Sequence, residues 1–316
     1  MTIHILKNFY SNGKLLLTGE YLVLDGATSL ALPTKFGQDL TVAHIEVPQL
    51  IWGSFTHTGA CWFEAIFDLT KLRLVSCTFH SEKEGNADLI AETLLEILQA
   101  AKQLNPHFLQ TEKGFEVKTN LTFPKNWGLG TSSTLINSIA NWAKVDAFQL
   151  LWNSFKGSGY DVACAQNNTP IYYQTKNNKP LIRPVTFNPS FKEHLFFVYL
   201  NEKQDSKEGI LAYRKQKEQR EMHQDIVRIS EISEAFVKAT TLDAFNTLII
   251  AHEKIIGEII QTKPVKERLF PDYFGEVKSL GAWGGDFVLV TGNEQTPDYF
   301  KNRGFNTVLR YHEIIL

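Results

Sequence analysis

Two glycines and a cluster of hydroxyl residues mark the most chemically suggestive stretch of this chain, Pro124-Lys125-Asn126-Trp127-Gly128-Leu129-Gly130-Thr131-Ser132-Ser133. An imperfectly alternating run from Phe115 to Phe123 predicts a strand ahead of it. Leu135, Ile136, Ile139, Ala140 and Ala143 predict a helix that starts near Ser132. Glycines let backbone N–H groups turn toward an anion, and a helix start adds unsatisfied donors and partial positive charge. Gly128, Leu129, Gly130, Thr131, Ser132 and Ser133 are therefore candidate phosphate-binding residues, with a hydroxyl from Ser132 or Thr131 available to phosphate or to Mg²⁺. The same residues read equally as a glycine turn with a Thr or Ser helix cap. No Gly-Lys-Ser or Gly-Lys-Thr follows, so the stretch is not a Walker A loop.

Three more stretches carry chemistry. Gly157-Ser158-Gly159-Tyr160-Asp161 displays a carboxylate on a tight loop, as a base for an acceptor hydroxyl or simply as a helix N-cap. Gly13-Lys14 and Gly19-Glu20-Tyr21 put a lysine and a glutamate on either side of an apolar run, where both also read as solvated charges. Lys278-Ser279-Leu280-Gly281-Ala282-Trp283-Gly284-Gly285-Asp286 is a second glycine-rich segment before a strong strand, or an ordinary hairpin turn.

The elements that position these stretches are mixed. Short apolar runs (Leu15–Leu17, Tyr21–Leu24, Leu40–Val42, Ile51-Trp52, Cys61–Phe63, Leu72–Val75) predict a β-rich first part, with Asp25-Gly26 as a tight turn. Helices are predicted from Asn86 to Lys102 with Asn86 as cap, from Phe148 to Phe155, and from Asp161 to Gln166. Strands at 171–173, 181–187 and 195–200 lead to a charged, mainly helical stretch from Lys207 to Thr262. The chain closes with a strand at 286–290, a helix at 296–302 and a strand at 308–315.

At 316 residues the chain suggests two domains, with a boundary near 180–200. A hydrophobic share of 43% with 21% charged residues is ordinary for a globular protein and excludes disordered and collagen-like classes. A net charge of -2 asks for no nucleic-acid or membrane partner. Three cysteines with no Cys-x-x-Cys spacing suggest neither a disulfide framework nor structural zinc, and fit a reducing compartment. No signal peptide or membrane-length apolar run is visible, so a soluble cytoplasmic protein is expected.

Taken together and in this order, the four stretches resemble the motifs of the GHMP kinases, over nearly the whole chain. Pro124 to Ser133 is similar to that family's phosphate loop, and Gly157 to Asp161 to the segment bearing its catalytic Asp. Gly159-Tyr160-Asp161-Val162-Ala163 is similar to a bacterial subgroup marked by Gly-Tyr-Asp-Ile-Ala, whereas Gly13 to Leu24 resembles the mevalonate-pathway members. The resemblance implies an α+β, two-part fold. Residues 1–185 would form an ATP-binding half like ribosomal protein S5 domain 2, and residues 186–316 a ferredoxin-like half. It implies ATP and Mg²⁺ as cofactors, Asp161 and Lys14 as the catalytic pair, and Ser132 as a metal ligand. Contacts to the small-molecule substrate would come from Glu20, Tyr21, Ser158, Gly159, Tyr160, Gln204, Ser206, Gly281, Ala282 and Gly284. Lys203 to Lys207 read equally as a polar surface loop. The expected reaction is phosphorylation of mevalonate or phosphomevalonate. A catalytically silent ligand- or partner-binding member and a diphosphomevalonate decarboxylase are the alternatives, and a homodimer is compatible. The sequence departs from the family pattern in the loop, Gly130-Thr131-Ser132-Ser133-Thr134 against the usual Gly-Ser-Ser-Ala-Ala, at Trp283 where a glycine is usual, and at Leu150 where many members carry a Mg²⁺-binding Glu.

Overall fold

The computed structural model describes residues 5–80, 86–155, 157–177, 179–202, 206–281, 283 and 285–316. The chain divides into two compact units, neither of them continuous in sequence. The first comprises Met1–Gly13, Phe36–Lys125 and Gly130–Gln166; the second comprises Lys14–Lys35, Asn126–Leu129 and Asn167–Leu316.

In the first unit the strands β2 (Ser29–Ile45), β3 (Gln49–Phe55), β4 (Cys61–Asp68), β5 (Arg73–Phe79) and β6 (Gly114–Leu121) lie in the order β5-β4-β3-β6-β2. The preceding strand β1 (Ile5–Leu16) pairs with β2. β3 runs parallel to β6 and the other registered pairs in this group are antiparallel. Strict alternation on β3, with Leu50, Trp52 and Ser54 buried, gives the sheet one covered face. The helices α1 (Ala87–Leu104), α2 (Thr131–Ala143), α3 (Ala147–Ser154) and α4 (Tyr160–Gln166) pack on one another. Asn86 caps α1, its side chain accepting from the Leu89 amide at 3.2 Å. Asp146 caps α3 in the same way through the Gln149 amide at 2.8 Å.

In the second unit the first residues of β2 pair with β7 (Ile171–Lys176), which pairs with β8 (Lys179–Pro184). A separate antiparallel sheet has the order β10-β11-β9-β12, from β9 (Leu195–Tyr199), β10 (Val277–Ser279), β11 (Phe287–Thr291) and β12 (Val308–Arg310). Every residue of β9 and β11 is buried, so both read as continuous apolar runs. The helices of this unit are α5 (Ser206–Gln219), α6 (His223–Lys238), α7 (Leu242–Ile260), α8 (Val265–Leu269), α9 (Thr296–Lys301) and α10 (Tyr311–Ile314). α7 packs on α5, α6 and β10. Among the described residues no helix is long and apolar enough to cross a membrane.

Two expected strands take other forms. Tyr21 adopts φ 62°, and Leu22–Asp25 is a 3₁₀ turn closed by Gly26 at φ 88°. The run is apolar because Leu22 and Val23 are buried, not because it is extended. At the other end β12 stops at Arg310, where the Glu313 carboxylate accepts the Arg310 amide at 2.6 Å and starts α10.

Candidate active site

The glycine loop is held by its carbonyls. In the second unit the Asn126 carbonyl accepts from the Tyr199 hydroxyl at 3.0 Å, the Leu129 carbonyl from the Lys14 amide at 3.0 Å, and the Gly128 carbonyl from Lys14 Nζ at 2.9 Å. Trp127 packs edge-on against Phe287. Gly128 has φ 67°, and a Cβ there would lie 2.3–2.5 Å from the Asp286 carboxyl group, so no other residue fits without displacing Asp286. In the first unit Gly130, at φ 95°, precedes α2 without a side-chain cap. Its carbonyl accepts from the Thr134 amide and hydroxyl, each at 3.0 Å, and from the Ser133 hydroxyl at 2.9 Å. Ser133 and Thr134 are buried in this role, whereas Ser132 is exposed. Among the described residues, no backbone N–H from Gly128 to Ser133 donates to the protein. The carbonyls of Asn126, Gly128, Leu129 and Gly130 are thus satisfied while the amides from Gly128 to Ser133 are not, which is the polarity an anion site requires.

Within the first unit α2 packs against α4, which carries Asp161. A buried polar group joins them: Asn137 Nδ2 donates to Ser11 Oγ at 2.9 Å and to the Ala165 carbonyl at 3.4 Å, and Gln166 donates to Asn137 Oδ1 at 3.1 Å. Asp161 lies inside the first turn of α4 rather than ahead of it, half-buried, with Oδ1 accepting the Val162 amide at 3.0 Å. Gly159 precedes it at φ 92° and is buried, while Ser158 and Tyr160 are half-buried. Leu150 is fully buried on α3, a core position that offers no ligand to a metal.

The remaining sequence-predicted residues belong to the second unit. Lys14 is half-buried. Tyr21 is buried, stacks on Tyr213, and accepts the Trp283 amide at 3.2 Å. Trp283 fills an apolar cluster with Ile256, Ile259 and Met222, so it is a core side chain rather than part of an open glycine turn. Gly281 has φ 69°. Gln204, Ala282 and Gly284 lie outside the described residues, and Ser206 is described only as the backbone start of α5.

Glu20 is 1% exposed and sits in a charged quartet that sequence reasoning missed. Lys278 Nζ is 2.8 Å from Glu20 Oε1 and 3.5 Å from Glu253 Oε1, and Ser279 Oγ donates to Glu253 at 3.1 Å. His252 Nε2 is 3.1 Å from both Glu20 Oε2 and the Gly19 amide. Burial and Lys278 hold His252 below its usual value, so we read the ring as neutral and accepting from Gly19, not as a cation paired with Glu20. Burial pushes Glu20 up, but the Lys278 ammonium at 2.8 Å pulls the other way and the carboxyl is held below its usual range. Glu253 goes the other way: burial, against the pull of Lys278, raises it to about 7. A signal for the quartet existed. His252 and Glu253 fall on the buried stripe of α7 that Phe245, Ile249 and Ile256 define, where two titratable residues need a partner.

No family model matches the chain, and no curated protein sequence matches it. Solved structures do. Mevalonate kinase from L. major, solved in complex with R-mevalonate, superimposes with a TM-score of 0.67 at 16% identity, covering 99% of this chain and 98% of that one. Phosphomevalonate kinase from Streptococcus pneumoniae, in complex with phosphomevalonate and AMPPNP, gives 0.68 at 14% identity, covering 96% and 100%. Lactococcus lactis galactokinase complexed with galactose gives 0.63 at 14% identity, covering 96% and 92%. The chain has the fold of the GHMP kinases. The α+β organisation expected from the sequence is the one observed.

Proposed function

We propose that this GHMP-fold chain is an ATP-dependent small-molecule kinase, with mevalonate or phosphomevalonate as the first acceptors to test. The observation that carries the reading is the glycine loop, with its carbonyls tied back and its amides from Gly128 to Ser133 undonated at the start of a 13-residue helix. Such a loop suits the polyphosphate of a nucleotide. The exposed Ser132 hydroxyl suits Mg²⁺, which commonly needs only one or two protein ligands because it keeps waters and binds phosphate oxygens. Bound Mg-ATP would supply the phosphoryl group and the metal's charge. Asp161 would accept the proton of the acceptor hydroxyl, and Lys14 would favour the ionised carboxylate and orient the acceptor. Glu20 would act from inside the protein, steadying the Gly19–Tyr21 turn. Ser158, Gly159, Tyr160, Gln204, Ser206, Gly281, Ala282 and Gly284 remain the proposed acceptor-side residues.

A catalytically silent member is the second reading, favoured by the buried Leu150 and Trp283. Turnover of ATP with mevalonate, phosphomevalonate, homoserine and a set of sugars separates the two. Asp161→Asn should keep the fold and nucleotide affinity and lower kcat by about 10²–10⁴-fold. Wild-type turnover in the folded Asp161→Asn protein would remove Asp161 from the chemistry. Nucleotide binding without turnover on any acceptor would support the silent reading, and release of CO₂ from diphosphomevalonate would support a decarboxylase.

A further inference from the structure

Cys61, Glu64 and His80 bring a thiol, a carboxylate and an imidazole together in the first unit, their ligand atoms all within 4.8 Å of one another. The local fold explains why. On a regular strand Cys61 and Glu64 would face opposite sides, because their separation is odd. The β3–β4 register slips at this point: Ser54 pairs with Phe63 but Phe55 pairs with Cys61, which makes Trp62 an extra residue on β4. Such a bulge re-aims the side chains beside it. Here it turns Cys61 to the outer side of β4 with Glu64, while Phe63, Ala65 and Phe67 stay buried on the inner side. His80 arrives from the neighbouring strand. Glu64 pairs with Thr78, so His80, two residues on, lies diagonally across from it on the same face. The His80 amide continues the ladder onto the Trp62 carbonyl at 2.9 Å. Glu64 Oε2 and His80 Nε2 are already 2.8 Å apart.

We propose that these three side chains form a binding site for a thiophilic divalent cation, and that zinc is the ion they fit. Sulfur, imidazole nitrogen and carboxylate oxygen are zinc's ligand types, and three protein ligands leave a fourth tetrahedral position to water. Bonds of about 2.0–2.3 Å in a tetrahedron place neighbouring ligand atoms roughly 3.3–3.6 Å apart. Metal entry therefore opens the Glu64–His80 contact by about half an ångström and draws the Cys61 sulfur inward, within the reach of side-chain rotation. Glu64 and His80 are half exposed, at 57% and 45%, which provides the entry path. On binding, the Cys61 S–H bond breaks, the zinc–sulfur bond forms, and one proton passes to solvent. The thiol's hydrogen bond to the Phe63 carbonyl, 3.6 Å long and weak, is lost at little cost. The site does not depend on the proposed kinase reading.

The test uses the full chain, reduced and stripped of metal, titrated with Co²⁺ alone and then with Zn²⁺ alone. One equivalent of cobalt should produce a thiolate-to-metal charge-transfer band that zinc abolishes. Cys61→Ser should remove the band. His80→Ala and Glu64→Gln should weaken zinc binding roughly tenfold or more, since even loss of an outer partner of a metal ligand costs about that much. Cys77→Ser, which removes the other partly exposed thiol on this hairpin, should leave the band unchanged. Absence of the band in the wild type, or its survival in folded Cys61→Ser, overturns the proposal. His80→Ala changes a half-exposed side chain and keeps the test decisive if Cys61→Ser does not fold: undiminished zinc affinity in that variant refutes the site equally.

Discussion

Replacing Glu253 by glutamine should flatten one part of the pH dependence of stability while barely touching the packing. The folded protein holds Glu253 at about 7 against an ordinary value of 4.5, with burial as the largest cause. Between these two values the folded chain keeps a proton that the unfolded chain has lost. Stability from this group is therefore fully present below 4.5 and is lost as pH rises toward 7. At 1.36 kcal/mol per pKa unit the loss across the whole window is about 3 kcal/mol. Glu20 has the opposite sign: its carboxyl is depressed, so its contribution is present above the ordinary value and is lost only as the solution becomes more acidic. Measurements from pH 5 to pH 8 leave Glu20 out, and the contribution of His252, held below its ordinary value of 6.5, is common to both proteins and cancels in their difference. Glutamine keeps an acceptor for Lys278 and can exchange a hydrogen bond with Ser279. Urea unfolding of both proteins at half-unit steps should show the variant near the wild type at pH 5 and gaining on it by up to about 3 kcal/mol by pH 8. Two parallel pH profiles would refute the reasoning, because they would mean that Glu253 titrates alike in the folded and unfolded chains.

Lys278→Met should be far more damaging. It leaves two carboxylates buried without their cation, and removal of one partner from a buried pair typically costs about 3–5 kcal/mol; urea unfolding measures it, and adding Glu20→Gln should restore part of the loss. Gly130→Val should weaken nucleotide binding, because a branched side chain there stands where the loop amides must meet an anion, and at φ 95° it should also cost folding stability, so affinity is compared on folded protein. Equal nucleotide affinity in a folded Gly130→Val protein would take the loop out of the site. Ser132→Ala should leave stability unchanged, since the side chain is exposed, and should raise the Mg²⁺ concentration needed for half-maximal turnover.

The parts of the fold that were legible in the sequence are those where local physics and tertiary packing agree. Asn86 caps α1 as its side chain allows, and the apolar stripe of α2 recurs at helical spacing because Ile136, Ile139, Ala140 and Ala143 are its buried side. The glycines of the loop stand out because Gly128 and Gly130 both occupy backbone conformations that other residues avoid. Tyr21–Leu24 misleads for the opposite reason. Its apolar residues answer to burial, while its backbone is fixed by a positive φ at Tyr21 that side-chain periodicity does not report. The short elements β10, α8 and α10, three to five residues each, leave too few positions for any period to register. The charged quartet was hidden by distance along the chain. Lys278 opens a glycine-rich segment that looks like a turn, and nothing local to it points to a glutamate near the other end of the sequence.

The Glu20–Lys278 pair also sets a clock. The partners are 258 residues apart, and at about 5–20 residues per second a translating ribosome needs roughly 10–50 s to deliver the second after the first. Throughout that interval Glu20 has no ammonium to justify leaving water, so the Gly19–Tyr21 segment cannot be sealed into its unit. The Gly19 amide waits almost as long for His252, 233 residues downstream. The first unit has no such delay, because its segments end at Gln166. Synthesis thus exposes one nascent unit that can close early and a second that stays open at its N-terminal segment until Lys278 emerges. A pause or truncation between those two moments yields a chain with a hydrated carboxylate where the finished protein has a dry ion pair, the kind of exposed, unfinished surface that holdase chaperones and proteases act on.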